Sequence, residues 1–93
     1  MKRRPVIIVS TDAYHSARPD VILAVVTSQT ASAIAPTDYP FQDWTTAGLR
    51  QPSAFRSYLT MMAATSVVAA IGQLSQRDWQ EVQARLRLAL AVV

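Results

Sequence analysis

Two stretches decide the fold: Arg4–Ser10, RPVIIVS, and Asp20–Ser28, DVILAVVTS. Pro5–Ser10 is an apolar, β-branched run and Asp20–Ser28 repeats the pattern, the composition of a strand buried in a sheet. Between them Thr11–Pro19, TDAYHSARP, is rich in turn formers and reads as a loop, so the two runs pair as an antiparallel hairpin. With the register in which the numbers of opposed residues sum to 31, Ser10 meets Val21, Ile8 meets Leu23 and Arg4 meets Thr27. Opposed residues hold their Cβ atoms about 4.5–5.5 Å apart on one face of the sheet. A guanidinium and a hydroxyl would then converge where both strands leave the core. A slip of one residue would send Thr27 to the other face, so the register is the assumption on which the pair depends.

Outward from the hairpin, residues 29–50 are polar, contain Pro36, Pro40 and Gly48, and show no sustained period. They read as a long loop with room for a short strand. From Ser53 to Met62 the residues alternate, with Phe55, Leu59 and Met61 on one face and Arg56, Tyr58 and Thr60 on the other, which predicts a half-buried strand. Residues 65–72, TSVVAAIG, read as a short helix stopped by Gly72. Ser75 followed by Asp78 is a variant of the capping box. After it Trp79, Val82, Leu86, Ala89 or Leu90, and Val93 recur at helical spacing, predicting a packed C-terminal helix. Its other side carries Arg77, Glu81, Arg85 and Arg87, a solvated face by the simplest reading and a nucleic-acid groove by the alternative. No repeat or boundary divides residues 1–93, so a single α+β domain is expected.

Composition narrows the chemistry. The 93 residues are 51% hydrophobic and 16% charged, a balance that favours a folded domain with an apolar surface suited to self-association. The net charge of +3 and a pI near 10.0 suit a nucleic acid or an acidic protein partner without choosing between them. The absence of cysteine removes disulfide and thiol chemistry and makes a reducing cytoplasm the expected compartment. No apolar run approaches the ~20 residues that cross a bilayer. The opening MKRRPVIIVS has too short an apolar part for a signal-peptide core and reads as mature protein. His15 is the single histidine and the six acids are scattered, so no metal-ligand cluster is expected. For the same reason a hydrolase triad has only His15 as base, in a polar turn that marks no partner for it; a plain loop residue is the expectation. With only Gly48 and Gly72, the chain has no glycine-rich phosphate cradle. An enzyme built from these residues works with arginine, hydroxyl groups and backbone dipoles.

Four segments, in order, resemble the MazF/PemK family of bacterial toxins: RRPVIIVSTDAY, DVILAVVTS, GLRQPSAFR and IGQLSQRDWQEVQARLRLAL. The last is similar to the usual ending of the PemK-like branch. Thr11 stands where asparagine is common in the family, and both suit a turn. The resemblance implies an SH3-like, strongly bent small β-barrel with a packed C-terminal helix, assembled as a homodimer. It implies the toxin part of a type II toxin–antitoxin system: a sequence-specific endoribonuclease, an mRNA interferase, that cuts single-stranded RNA without a metal or other cofactor. By the same resemblance the arginine directly before proline, Arg4, and the threonine ending the next strand, Thr27, are the catalytic residues. Ser53 and Arg56 match the family's PS..R element in a supporting role, with an exposed strand residue as the competing reading for Arg56; Arg3, as a less specific phosphate-side charge, and Ser28 are the further candidate RNA contacts. The implied partners are single-stranded RNA and a small antitoxin whose acidic, apolar tail fills the RNA groove.

Tyr14, Tyr39, Phe41 and Trp44 are candidates to stack on unpaired bases, with a place in the core as the competing reading for Phe41 and Trp44. The family's usual first strand, of GDIVLVDF type, has no counterpart before Arg4, so the domain reads as N-terminally shortened. That leaves a second expectation beside the nuclease: a catalytically impaired homologue that binds the antitoxin or RNA without turnover.

Overall fold

The computed structural model describes residues 4–32, 35–67 and 69–91. Strand β1, Val6–Ile8, pairs antiparallel with β2, Asp20–Thr27, through Val6 with Val25, Ile7 with Ala24 and Ile8 with Leu23. That is the register read from the sequence. The ladder is shorter than the apolar run because Ser10 replaces a backbone group: its Oγ accepts from the Ile22 N–H at 3.0 Å, next to the Val9 N–H donating to the Ile22 carbonyl at 2.9 Å.

The connection is not the expected loop but a short helix, α1, Asp12–Ala17. Thr11 caps it by accepting from the Tyr14 N–H at 3.3 Å. The Thr, Asp and Ser residues that suggest a turn serve equally as helix caps, because in both settings a side-chain oxygen takes up a local backbone N–H.

The sheet order is β1-β2-β4-β3, antiparallel throughout, where β3 is Tyr39–Pro40 and β4 is Ala54–Ala63. Pro40 sits on the edge strand, where a missing N–H costs no interior ladder bond. Between β2 and β4 the register shifts, Ala24 opposing Leu59 and Val26 opposing Phe55. Arg56, Ser57 and Tyr58 therefore stand against the single residue Val25. A bulge of this kind bends the strand and tightens its twist, and the sheet curls into a half-barrel.

The core lies on one face of the curl. Ala24, Val26, Tyr39, Phe41, Phe55 and Val82 form the buried cluster, with Leu59, Trp44, Trp79 and Leu86 packed against it. The alternation in β4 holds for Phe55 and Leu59, but Met61 is 52% exposed because the strand outruns the elements that cover it. Helix α2, Gln76–Ala89, supplies Val82, Trp79 and Leu86 to the core. Ala89 and Leu90, expected to continue that face, are exposed, and Val93 lies outside the described residues.

Ser75 caps α2 by accepting from the Asp78 N–H at 3.3 Å, and its hydroxyl bonds Asp43 Oδ2 at 2.5 Å. Ser75→Ala is expected to lower stability by about 1 kcal/mol, read as a shift of the urea midpoint at unchanged slope.

The segment expected to form a second helix does not. Ala64–Ser66 make one 3-10 turn and the chain then runs irregularly, Val68 lying outside the described residues. Gly72 serves a backbone crossing instead of a helix stop. A Cβ there would stand 2.2 Å from the Ala47 carbonyl oxygen, and one on Gly48, which has φ +86°, would stand 2.1 Å from that of Ile71. Two chain segments pass at a separation that admits only glycine.

Asp78 is fully buried and joins α2 to the loop after β3. It accepts from the Tyr39 hydroxyl at 2.6 Å, the Gln42 N–H at 3.1 Å and the Asp43 N–H at 2.8 Å. The basic side of α2 is partly tied down rather than simply solvated. Arg77 grips Asp43 with two bonds of 2.6 Å, and Arg85 bonds Glu81 at 2.9 Å and the Asp38 carbonyl at 3.3 Å while lying over the Tyr39 ring.

Hydrogen bonds from Arg77 and then Ser75 hold the Asp43 carboxyl down at a pKa of about 2, against 3.8 unperturbed. A depressed carboxylate pKa stabilises the fold above the unfolded value, and that contribution disappears as pH falls through the folded one. Arg77→Gln is therefore expected to be less stable than the parent above about pH 4, with the gap between their urea midpoints closing as pH falls to about 2.

Candidate functional site

Among the described residues, several large side chains on the face of the sheet turned away from α2 are left exposed. Val6 and Ile8 of β1 are 38% and 37% exposed there, and Tyr58 and Met62 of β4 are 68% and 38% exposed. Leu23 remains buried among them because it occupies the central strand.

At one end of this face stand the two residues singled out by the hairpin argument. Arg4 is exposed and lies two residues before the first ladder pair. Continued by those two residues, the observed register sets Arg4 opposite Thr27, the last residue of β2. Thr27 Oγ1 accepts from the Gln29 N–H at 3.1 Å, which orients the oxygen and leaves its own proton to donate. The exposed Ser28 forms the bend that follows.

Arg56 is exposed beside Val25, brought there by the bulge. Ser53, by contrast, is 4% exposed and donates its hydroxyl to the Gln51 carbonyl at 2.9 Å, so its side chain shapes the entry to β4. Arg3 lies outside the described residues.

The cations divide into two groups. Arg18, Arg77 and Arg85 are paired with Asp20, Asp43 and Glu81. Among the described residues Arg4, Arg50, Arg56 and Arg87 meet no carboxylate. Among the described residues, Arg4 and Arg56 bring positive charge that no carboxylate neutralises to the open face.

Two hollows flank Arg56 and Tyr58. One, about 260 Å³, is lined also by Ala35, Thr37, Asp38 and Ser57. The other, about 320 Å³, is lined also by Val25.

Of the aromatic residues weighed for base stacking, Tyr39 and Phe41 are 6% exposed core residues and Trp44 packs on that core. Tyr14 is half-buried beneath the Arg18 guanidinium, its hydroxyl donating to Asp20 Oδ2 at 3.3 Å. These aromatics stabilise the fold. His15 is not a loop residue without a partner: it sits on α1, and its Nε2 is hydrogen-bonded to Ser10 Oγ at 2.6 Å. Asp12 Oδ1 lies 3.9 Å from Nδ1, fully exposed, and the Ser10 oxygen already accepts from the Ile22 N–H, so the trio fastens α1 to the sheet. Nothing in a spacing of five residues announces that bond. The capping-box place of Asp78 accounts for its backbone N–H but gives no sign of a carboxylate that faces inward. Among the described residues no three His, Asp or Glu side chains converge as a metal site, and no helix is long and apolar enough to cross a membrane.

Comparison with known proteins agrees with this architecture. The chain superposes on a crystal structure of an Mtb toxin with a TM-score of 0.78 at 20% identity, covering 94% of this chain and 92% of that one. It superposes on the Mycobacterium tuberculosis toxin MazF-mt6 with a TM-score of 0.77 at 21% identity, covering 92% and 84%. At such identities the likeness shows a shared fold: a small curled barrel with its packed helix. No curated protein sequence matches the chain. Residues 1–90 match the family described as PemK-like, MazF-like toxin of type II toxin-antitoxin system, and to that family this chain belongs.

Proposed function

We propose that this toxin is an endoribonuclease that cuts single-stranded RNA at short sequences, without a metal, using the RNA's own 2′-OH as nucleophile. The observation that supports the reading is the β1–β2 register: continued two residues past its last pair, it sets Arg4, which meets no carboxylate among the described residues, opposite the oriented Thr27 hydroxyl. RNA brings its nucleophile with it, so the protein need only align the 2′ oxygen with phosphorus and stabilise the charge that builds on the phosphate oxygens. Arg4 suits the second task. Its planar fork grips two oxygens at once and stays protonated, which makes it a poor base and a good electrostatic partner. Thr27 donates a hydrogen bond to the phosphate or positions the 2′-OH. In the reaction the 2′ oxygen bonds to phosphorus as the bond to the 5′ oxygen breaks. The 2′ proton leaves to solvent and the departing 5′ oxygen takes one up, giving a 2′,3′-cyclic phosphate and a 5′-OH end. DNA lacks the nucleophile and should resist.

Arg56 and the exposed Ser28 extend the contact along the RNA, with Arg3 as a further phosphate-side charge, while Ser53 acts indirectly by holding the start of β4. Membership of a type II toxin family implies an antitoxin partner. On this reading its acidic, apolar tail competes with RNA for the same cationic face, and the protein works as a cytoplasmic homodimer. The test is incubation of the pure protein with mixed-sequence RNA in excess EDTA, followed by end-group analysis. Cleavage to cyclic phosphate ends, with a matched DNA intact, is expected. Saturable RNA binding without turnover would replace the nuclease with the binding-module reading.

A further inference from the structure

We infer that Tyr58, with Arg56, forms a seat for one unpaired nucleotide next to the scissile phosphate, the base stacking on the Tyr58 ring and its phosphate resting on Arg56. The inference rests on the ribonuclease reading and adds a specificity-bearing aromatic that the polar face of β4 did not suggest.

Three observations carry it. First, Tyr58 is 68% exposed, and among the described residues its ring has no aromatic or cationic neighbour and its hydroxyl no partner, whereas Tyr14 and Tyr39 are both engaged. It projects from a strand of the sheet rather than from a loop, so stacking on it costs little ordering.

Second, the bulge sets Arg56 and Tyr58 together against Val25, and Val25 precedes Thr27 by two residues on the same face. Two strand residues span about 7 Å. An RNA chain held at Arg4 and Thr27 passes directly onto this seat.

Third, the two hollows differ in character, and the difference orients the nucleotide. The hollow lined by Thr37, Asp38 and Ser57 holds Asp38 as well as Arg56, so the Arg56 charge is offset there. It suits the N–H donors on a base edge better than a phosphate. The wall is preformed: the Ser57 hydroxyl donates to the Thr37 carbonyl, Asp38 and Ala35 exchange bonds of 2.9 and 3.3 Å, and Arg85 holds the Asp38 carbonyl at 3.3 Å. The hollow beside Val25 presents Arg56 with no carboxylate in its lining, two residues along β2 from Thr27, so it takes the phosphate.

The probe is a labelled 2′-O-methyl RNA octamer of mixed sequence, which has no free 2′-OH and is not cut. Binding is followed by fluorescence anisotropy from 50 to 300 mM salt. Tyr58→Leu is expected to weaken binding about 5- to 100-fold, with the thermal midpoint and the salt slope unchanged, and Tyr58→Trp to restore it. Arg56→Gln is expected to reduce the salt slope by about 0.7. An abasic octamer should bind the parent and Tyr58→Leu equally.

The seat is overturned if Tyr58→Leu binds like the parent, if Tyr58→Trp is as weak as Tyr58→Leu, or if the parent binds no octamer. It is also overturned if Tyr58→Leu changes the sedimentation of the RNA-free protein, which would make this face a protein interface. A parallel cleavage assay separates the two readings. Tyr58-dependent binding without cleavage retains the seat and removes the nuclease; cleavage with binding indifferent to Tyr58 does the reverse.

Discussion

Arg4→Ala is expected to lower the single-turnover rate of RNA cleavage in EDTA by about 10²–10³-fold, the usual effect of deleting one preorganised donor to a transition-state oxyanion. The loss should fall on kcat, because the charge that Arg4 meets grows as the 2′ oxygen approaches phosphorus. Stability should not change. Arg4 is exposed, lies before the ladder and has no carboxylate partner among the described residues, so its removal breaks no contact of the fold. Arg4→Lys should recover only part of the rate, since an ammonium keeps the charge but not the two-pronged geometry. Full activity in Arg4→Ala would remove the catalytic assignment.

Asp78→Ala is expected to destabilise the protein by several kcal/mol, since each buried donor left without its acceptor costs about 1–3 kcal/mol, a large share of the ~5–15 kcal/mol that holds a domain of this size together. One carboxylate serves three donors from two segments, the Tyr39 hydroxyl and the Gln42 and Asp43 N–H groups, and alanine leaves all three without it. The substitution also removes a negative charge from the first turn of α2, where the helix dipole favours one. The urea midpoint measures the loss, and a change below about 1 kcal/mol would show that water replaces the carboxylate.

Tyr39 gives an independent readout. Burial first, and then its bond to Asp78, push the phenol up to about 12. A raised folded pKa means that stability present below pH 10 declines as the pH rises towards 12. In Asp78→Asn the ultraviolet titration of Tyr39 should move down. A titration unmoved by Asp78→Asn would show that burial alone sets it.

Elements with one dominant period were legible from the chain. The paired β-branched runs, the alternation in residues 54–59 and the Ser75-capped helix follow from local sterics and the side-chain period, and each formed where expected. Local composition was ambiguous where two structures satisfy the same groups. Thr11 and Asp12 suit a turn and a helix start alike, and Gly72 suits a helix stop and a close crossing alike.

The site divides along the same line. The sequence by itself carried the family and the two β-branched strands, whereas the register was an assumption that the structure matches from Val6 with Val25 to Ile8 with Leu23, because a slip of one residue would turn the apolar face outward. Only the tertiary structure decided which aromatics are free. Alternation already set Tyr58 and Arg56 on the face opposite Phe55, but only packing shows that the loop carrying Tyr39 and Phe41 folds inward onto α2 while nothing among the described residues engages the Tyr58 ring. Burial is set by what packs against a side chain, and for these residues the packing partners lie tens of residues away in the chain.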